Sequence, residues 1–191
     1  MASLGDDHAS LAPRRILRRV TEEHPDAVLL CGAYGTGKSS VAAEMAELLE
    51  ARDVPYAAID LDWLAWANIA GSHGEAGHRL MLANLAPMIG NYRAARLTRF
   101  ILAGLLSSAE ERETIAETLD MPLRVVRLTL GIEEIERRMG RDPTSGRQFD
   151  AASAREQVAS DVGAGLEDVT VANDRPIGDV AAEIVGWLGW A

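Results

Sequence analysis

Residues 29–40 read LLCGAYGTGKSS, an apolar run followed by three closely spaced glycines, a lysine and two serines. The segment Gly32–Ser39 fits G-x-x-x-x-G-K-[ST] at every fixed position, and it lies between a strand-like stretch, AVLLC (27–31), and a helix-like one. Its spacing follows from what phosphate oxygens require. Several backbone N–H groups must point inward together, and glycines allow the turns without a Cβ in the way. A helix starting near Lys38 adds its unbonded N–H groups and the positive end of its dipole. Lys38 supplies a charge for the β- and γ-phosphates, and the Ser39 hydroxyl a ligand for Mg²⁺. Gly32, Ala33, Tyr34, Gly35, Thr36, Gly37, Lys38, Ser39 and Ser40 are therefore the expected phosphate-binding set, with ATP and Mg²⁺ as the implied cofactors.

Working outward, strand and helix patterns alternate. A first helix is expected over about 9–22, with Arg14, Arg15, Arg18 and Arg19 on a solvated face. After the glycine loop, Val41, Met45, Leu48 and Leu49 share one helix face. PYAAID (55–60) reads as a strand ending at Asp60, LDWLAWANIA (61–70) as a short helical region, and Glu75 to about Arg96 as helix. RFILAGL (99–105) is a continuous apolar run of the kind buried on both faces of a parallel sheet. A helix near 108–119, a strand LRVVRLTL (123–130) and a helix IEEIERRM (132–139) follow. The Gly-, Pro- and Ser-rich GRDPTSGRQFD (140–150) reads as loop. A helix near 151–160, a strand DVTVA (168–172) and a closing helix with Val180, Ile184, Trp187 and Leu188 on one side complete the chain. This is an α/β protein, expected to be a three-layer α/β/α sandwich with a five-stranded parallel sheet, one domain over 1–191. Ligands of such sheets sit at the carboxyl ends of the strands. Cys31, Asp60 and Leu105 should meet there.

Composition narrows the function classes. The chain has 191 residues, 48% of them apolar and 25% charged. No apolar run approaches the roughly 20 residues of a membrane span, so no membrane partner is expected. The single cysteine, Cys31, excludes an intramolecular disulfide and a thiolate metal cluster, points to a reducing cytoplasm, and reads as a buried core thiol. A net charge of −10 opposes binding to a nucleic-acid backbone. The assembly expected is a monomer or homodimer.

The stretch from LLCGAYGTGKSS through AAIDLDWL resembles the opening of the P-loop small-molecule kinases, the shikimate, gluconate and adenylylsulfate kinase group, with chloramphenicol phosphotransferase as a further relative in appearance. The resemblance implies a P-loop NTPase fold of the nucleoside monophosphate kinase type and transfer of the γ-phosphoryl group of ATP to a hydroxyl of a small molecule. It makes Asp60, with Asp62 in DLD, the carboxylates facing acceptor and metal shell. Asp60 is then the expected base, and Ser39, Asp60 and Asp62 the expected metal set. As a purely structural alternative, Asp62 suits a helix N-cap. LTLGIEEIERRMGRDPTSGRQFDAASAREQ is similar to the group's fourth strand, helix and lid, implying a mobile lid at about 137–150. Arg138, Arg141 and Arg147 would there meet the transferring phosphoryl, while Glu133, Glu134 and Glu136 offer ion pairs to Arg137 or Arg138 instead. TVANDRPIGDV is similar to the segment closing over adenine, implying Asn173, Arg175 and Pro176 beside the base.

Two features depart from that pattern. The third strand ends ILAGLLSS without an acidic residue, so Asp60 has to serve metal and acceptor together. Residues 65–97 match no known acceptor pocket. His73, His78, Arg79, Asn84, Asn91, Tyr92 and Arg93 are its polar candidates; Trp63 and Trp66, three apart after DLD, fit core packing ahead of the lining of a cavity beside the acceptor, and Met81 and Met88 read as core. A nucleotide-dependent switch or ATPase without an acceptor, and a polynucleotide kinase, are the competing readings.

Overall fold

The structure, a computed structural model, describes residues 25–67, 74–140 and 147–190. The helix expected over 9–22 and the residues His73 and Arg141 lie outside the described residues. Five strands, β1 (Asp26–Cys31), β2 (Tyr56–Asp60), β3 (Arg99–Ala103), β4 (Leu123–Thr129) and β5 (Val169–Ala172), form one sheet in the order β2-β3-β1-β4-β5. All neighbours run parallel, with Asp26 opposite Arg99, Ala27 opposite Leu123 and Asp60 opposite Ala103. The helices are α1 (Lys38–Glu50), α2 (Leu61–Leu64), α3 (Glu75–Ala94), α4 (Ala109–Leu119), α5 (Ile132–Met139), α6 (Arg147–Ala159) and α7 (Ile177–Leu188).

Alternation along β1 assigns the layers. Val28 and Leu30 face one way, into a core with Val41, Met45 and Leu49 of α1 and Val180, Ile184 and Leu188 of α7. Ala27, Leu29 and Cys31 face the other, against Met81, Leu85 and Ile89 of α3 and Ile115 and Leu119 of α4. A strand apolar on both faces is what a sheet covered on both sides demands, so the expected three-layer sandwich is found. A smaller cluster joins α5 and α6 through Ile135, Met139 and Ala154, with Tyr34 against it. Cys31 is a free, buried thiol, and burial first, then the charge of Glu167, pushes its pKa up to about 11.

Three local expectations are corrected. Residues 147–150 are the first turn of α6 and not loop, because the Gly, Pro and Ser composition that argues for loop ends at Gly146. Trp187, expected on the same helix side as Val180, Ile184 and Leu188, is 41% exposed where those three are buried, standing at the margin of the α7 apolar face under the Arg124 guanidinium, 5.5 Å from its ring centre. Trp63 and Trp66 are 66% and 74% exposed, since α2 is too short to bury more than Leu61.

Candidate active site

β1 leads into the glycine loop, and the loop into α1, whose N-cap is Gly37. No side chain caps this helix and its first turn carries no acidic residue, so its leading N–H groups stay open to an anion. Three loop glycines have positive φ, and two of them show why no side chain fits. Gly32 has φ 125 and a Cβ there would run into the Leu128 carbonyl; Gly37 has φ 93 and a Cβ would lie 2.6 Å from Asn173 Nδ2. The loop is tied internally and from afar. The Thr36 hydroxyl donates to Ala33 O at 2.8 Å, and Asn173 Nδ2, buried at the end of β5, donates to Thr36 O at 2.8 Å.

Lys38 does not reach into solvent, as its role before phosphate arrives would lead one to expect. Its ammonium folds back and donates to Gly32 O at 3.0 Å and Ala33 O at 3.2 Å. Desolvation lowers its pKa, opposed by the charges of Asp62, Cys31 and Asp60. The resting loop thus shapes itself around its own cation.

The acidic side arrives from β2. Ser39 Oγ donates to Asp60 Oδ2 at 2.6 Å, and the Asp62 backbone N–H donates to Asp60 Oδ1 at 3.0 Å. The N-cap of α2 is therefore Asp60 and not Asp62, since the chain turns helical immediately after the strand. Asp62 stands inside the first turn, where its pKa is raised by burial and by the charge of Asp60, with Lys38 pulling the other way. Among the described residues no hydrogen bond reaches its carboxylate.

These pieces surround a cleft of about 510 Å³ lined by Tyr34, Gly35, Gly37, Lys38, Ser39, Ser40, Asp62, Arg138, Met139, Asn173, Arg175 and Ile177. Loop, acid and the β5–α7 junction, distant in sequence, meet at one sheet edge. Arg138 is both an ion-pair partner and a wall of the cleft. Its Nε donates to Glu134 Oε1 at 2.8 Å and its Nη2 to Asn173 O at 2.9 Å. Glu134 also accepts from Arg137, and these two guanidiniums hold its pKa down to about 2. Arg175 pairs with Glu183, and Pro176 caps α7. Arg147 opens α6. In this cleft Asn173 is engaged with the loop itself, with its amide nitrogen turned to Thr36.

Gln157 of α6 went unnoticed in the sequence: its Oε1 accepts from the Tyr34 backbone N–H at 2.7 Å. A glutamine within a polar helix carries no local signal of such a contact. Of the polar candidates in 65–97, Asn84 Nδ2 donates to Leu64 O at 2.7 Å, Arg93 pairs with Asp120 at 3.1 Å, and Tyr92 packs on the core. These three hold structure together. His78 Nδ1 lies 3.4 Å from Glu111 Oε1, and Arg79 3.9 Å from Glu75. Both line a second cleft of about 660 Å³ at the N-terminal ends of α3 and α4, beside Leu105, Ser107 and Ser108.

Solved structures align with most of this architecture. A gluconokinase from Sinorhizobium meliloti superimposes with a TM-score of 0.57 at 18% identity, covering 88% of this chain and 94% of that one. The fold is that of the P-loop small-molecule kinases. A shikimate kinase from Acinetobacter baumannii, in complex with shikimate, gives 0.58 at 19% identity over 88% and 95% of the two chains. The Mycobacterium tuberculosis APS kinase, in complex with AMPPNP and APS, gives 0.58 at 22% identity over 87% and 98%. No protein-family model and no curated protein sequence matches the chain. The glycine loop follows β1 and Asp60 ends β2, so the two lie at the carboxyl ends of strands separated by β3. Among the described residues no helix is long and apolar enough to cross a membrane.

Proposed function

We propose that the protein is a kinase that passes the γ-phosphoryl group of ATP to a hydroxyl of a small molecule. One observation carries the reading: the Ser39 hydroxyl from the first turn of α1 and the Asp60 carboxylate from the end of β2 meet at 2.6 Å at the mouth of an open, uncapped helix N-terminus. A glycine loop alone would serve any nucleotide-binding protein. A carboxylate locked onto its serine, with a second carboxylate two residues on, adds what a transfer to an alcohol needs.

The donors fit Mg²⁺. Hydroxyl and carboxylate oxygens are hard ligands, and Mg²⁺ is ordinarily held by one or two of them with substrate phosphates and water completing the shell. Consistently, among the described residues no cluster of three His, Cys, Asp or Glu forms a self-sufficient cage. When bound, the ion would neutralise charge developing on the phosphates.

The residues then divide the work. Main-chain N–H groups of the loop and of α1 grip the phosphates, and Lys38 exchanges its two carbonyl partners for phosphate oxygens. Asp60, with both oxygens engaged, orders Ser39 and the metal shell. Asp62 faces the cleft with a raised pKa and an unclaimed carboxylate, which suits it to orient the acceptor hydroxyl and take its proton. This division differs from the sequence reading, which gave the base to Asp60. Arg138 stands at the cleft wall; in this reading Arg141 and Arg147 are assigned as guanidinium donors to the transferring group, and Asn173, Arg175 and Pro176 as neighbours of the nucleotide's far end. Measuring ADP release by purified protein with ATP and Mg²⁺, over a panel of sugars, hydroxy acids, nucleosides and antibiotics, tests the proposal. Stimulation by an acceptor, lost in Lys38→Ala, is the expected result. Equal ADP release with and without every acceptor would instead support an ATPase or switch.

A further inference from the structure

Trp63 and Trp66 are two of the four tryptophans in the chain, and they lie 66% and 74% exposed with their rings stacked at 4.7 Å, 27° apart. Folding gives no account of such exposure, because a large indole gains most by burial. The backbone under the pair is nevertheless held firmly. Asp60 caps α2, Leu61 is buried against Gly104 with its Cβ close to where a Gly104 side chain would start, and Asn84 Nδ2 clamps Leu64 O at 2.7 Å. The Trp66 N–H closes the turn onto Trp63 O at 3.3 Å. The shelf is thus built before any ligand arrives, and Trp63 follows Asp62 directly in the chain.

We infer that Trp63 and Trp66 are specificity-determining residues that stack a flat unsaturated ring of the acceptor, so that the kinase acts on a ring-bearing hydroxyl compound rather than an open-chain polyol. The inference rests on the proposed kinase activity and on Asp62 meeting the acceptor hydroxyl. A flat ring is the natural occupant, since indole faces reward stacking of any π-system and a rigid shelf loses little freedom on binding. Hydroxyl and ring would be read by consecutive residues of one helical turn.

The test compares ring-bearing alcohols (nucleosides, aryl-substituted diols) with saturated ones matched in hydroxyl number (hexoses, open-chain polyols) for stimulated ADP release. Wild type is set against the double variants Trp63→Ala/Trp66→Ala and Trp63→Phe/Trp66→Phe. Ring-bearing acceptors should be preferred, and the alanine pair should raise their KM on the order of tenfold to a hundredfold, as loss of stacking does elsewhere. The KM for ATP should stay within twofold, and the phenylalanine pair should recover most of the loss. An unchanged acceptor KM in the alanine pair, a KM for ATP that rises in step, or preference for saturated acceptors overturns the inference while leaving the kinase standing. A dimer that the alanine pair converts to monomer, with acceptor KM unchanged, would assign the shelf to a second copy of the chain and equally overturn it. Wild-type ADP release that no acceptor stimulates removes both the kinase reading and this one.

Discussion

Asn173 offers the sharpest check on how the loop is held. It sits at the end of β5, 2% exposed, with its side-chain amide donating to the carbonyl of Thr36, itself 1% exposed. Replacing Asn173 with alanine leaves that carbonyl buried without its partner, a loss of about 1–3 kcal/mol. For a chain of this size that amounts to a fall of roughly 2–12 °C in Tm. Asn173→Asp keeps the shape and exchanges the donor for an acceptor, setting carboxylate oxygen against carbonyl oxygen, so its loss should equal or exceed that of alanine. Since Thr36 lies between Gly35 and Gly37, both at positive φ, both variants should also raise the KM for ATP several-fold, with a smaller change in kcat. Urea or thermal unfolding followed by circular dichroism, alongside steady-state ADP release, measures both quantities. An Asn173→Asp protein with wild-type Tm would refute the hydrogen-bond reasoning. A destabilised protein with unchanged KM for ATP would show that the tether supports the fold and not the loop.

Four further outcomes are expected. Lys38→Ala should lose transfer by several orders of magnitude while retaining the far-ultraviolet spectrum, because its only hydrogen-bond partners among the described residues are loop carbonyls. Asp60→Asn should raise the Mg²⁺ concentration needed for half-maximal rate, whereas Asp62→Asn should cut kcat by 10²–10⁴ with little change in the KM for ATP, the order expected of a lost base. Asp62→Asn should also stabilise the protein at neutral pH. The folded-state pKa of Asp62 is raised above its ordinary 3.8, so its favourable contribution is full only below 3.8 and is lost as pH rises through the folded value. The gain in Tm should accordingly shrink as melts are run at lower pH. Cys31, protonated with a pKa near 11 and buried, should resist alkylation in the native protein at mildly alkaline pH and react on unfolding.

The sheet and its loop were readable because their signals are local and redundant. AVLLC and the FILA of the third strand are apolar and buried on both faces, and the glycine spacing leaves one backbone path. Contacts made by single polar groups across the chain were not. Gln157 reaching Tyr34 N, Asn173 reaching Thr36 O and Lys38 turning inward all depend on three-dimensional proximity that no periodicity encodes. In the DLD segment the sequence holds two acids two residues apart, either of which can cap a helix; the decision falls to where β2 stops pairing, at Asp60 opposite Ala103. Trp63 and Trp66 were misjudged for a related reason. Aromatic residues three apart mark a helix face, but only the length of the helix decides whether that face has anything to pack against, and α2 spans Leu61–Leu64 alone.

The strand that opens the sheet in sequence lies at its centre, flanked by β3 and β4. Neither neighbour is local: the partners of Asp26 and Ala27 are Arg99 and Leu123. A growing or refolding chain therefore carries an apolar strand whose two edges stay bare until the polypeptide between has been threaded out and looped back, an arrangement that slows collapse to the native state and leaves a sticky ribbon open to other chains meanwhile. The phosphate-gripping loop, hung from the end of that same strand, can acquire its shape only after both flanks have zipped on.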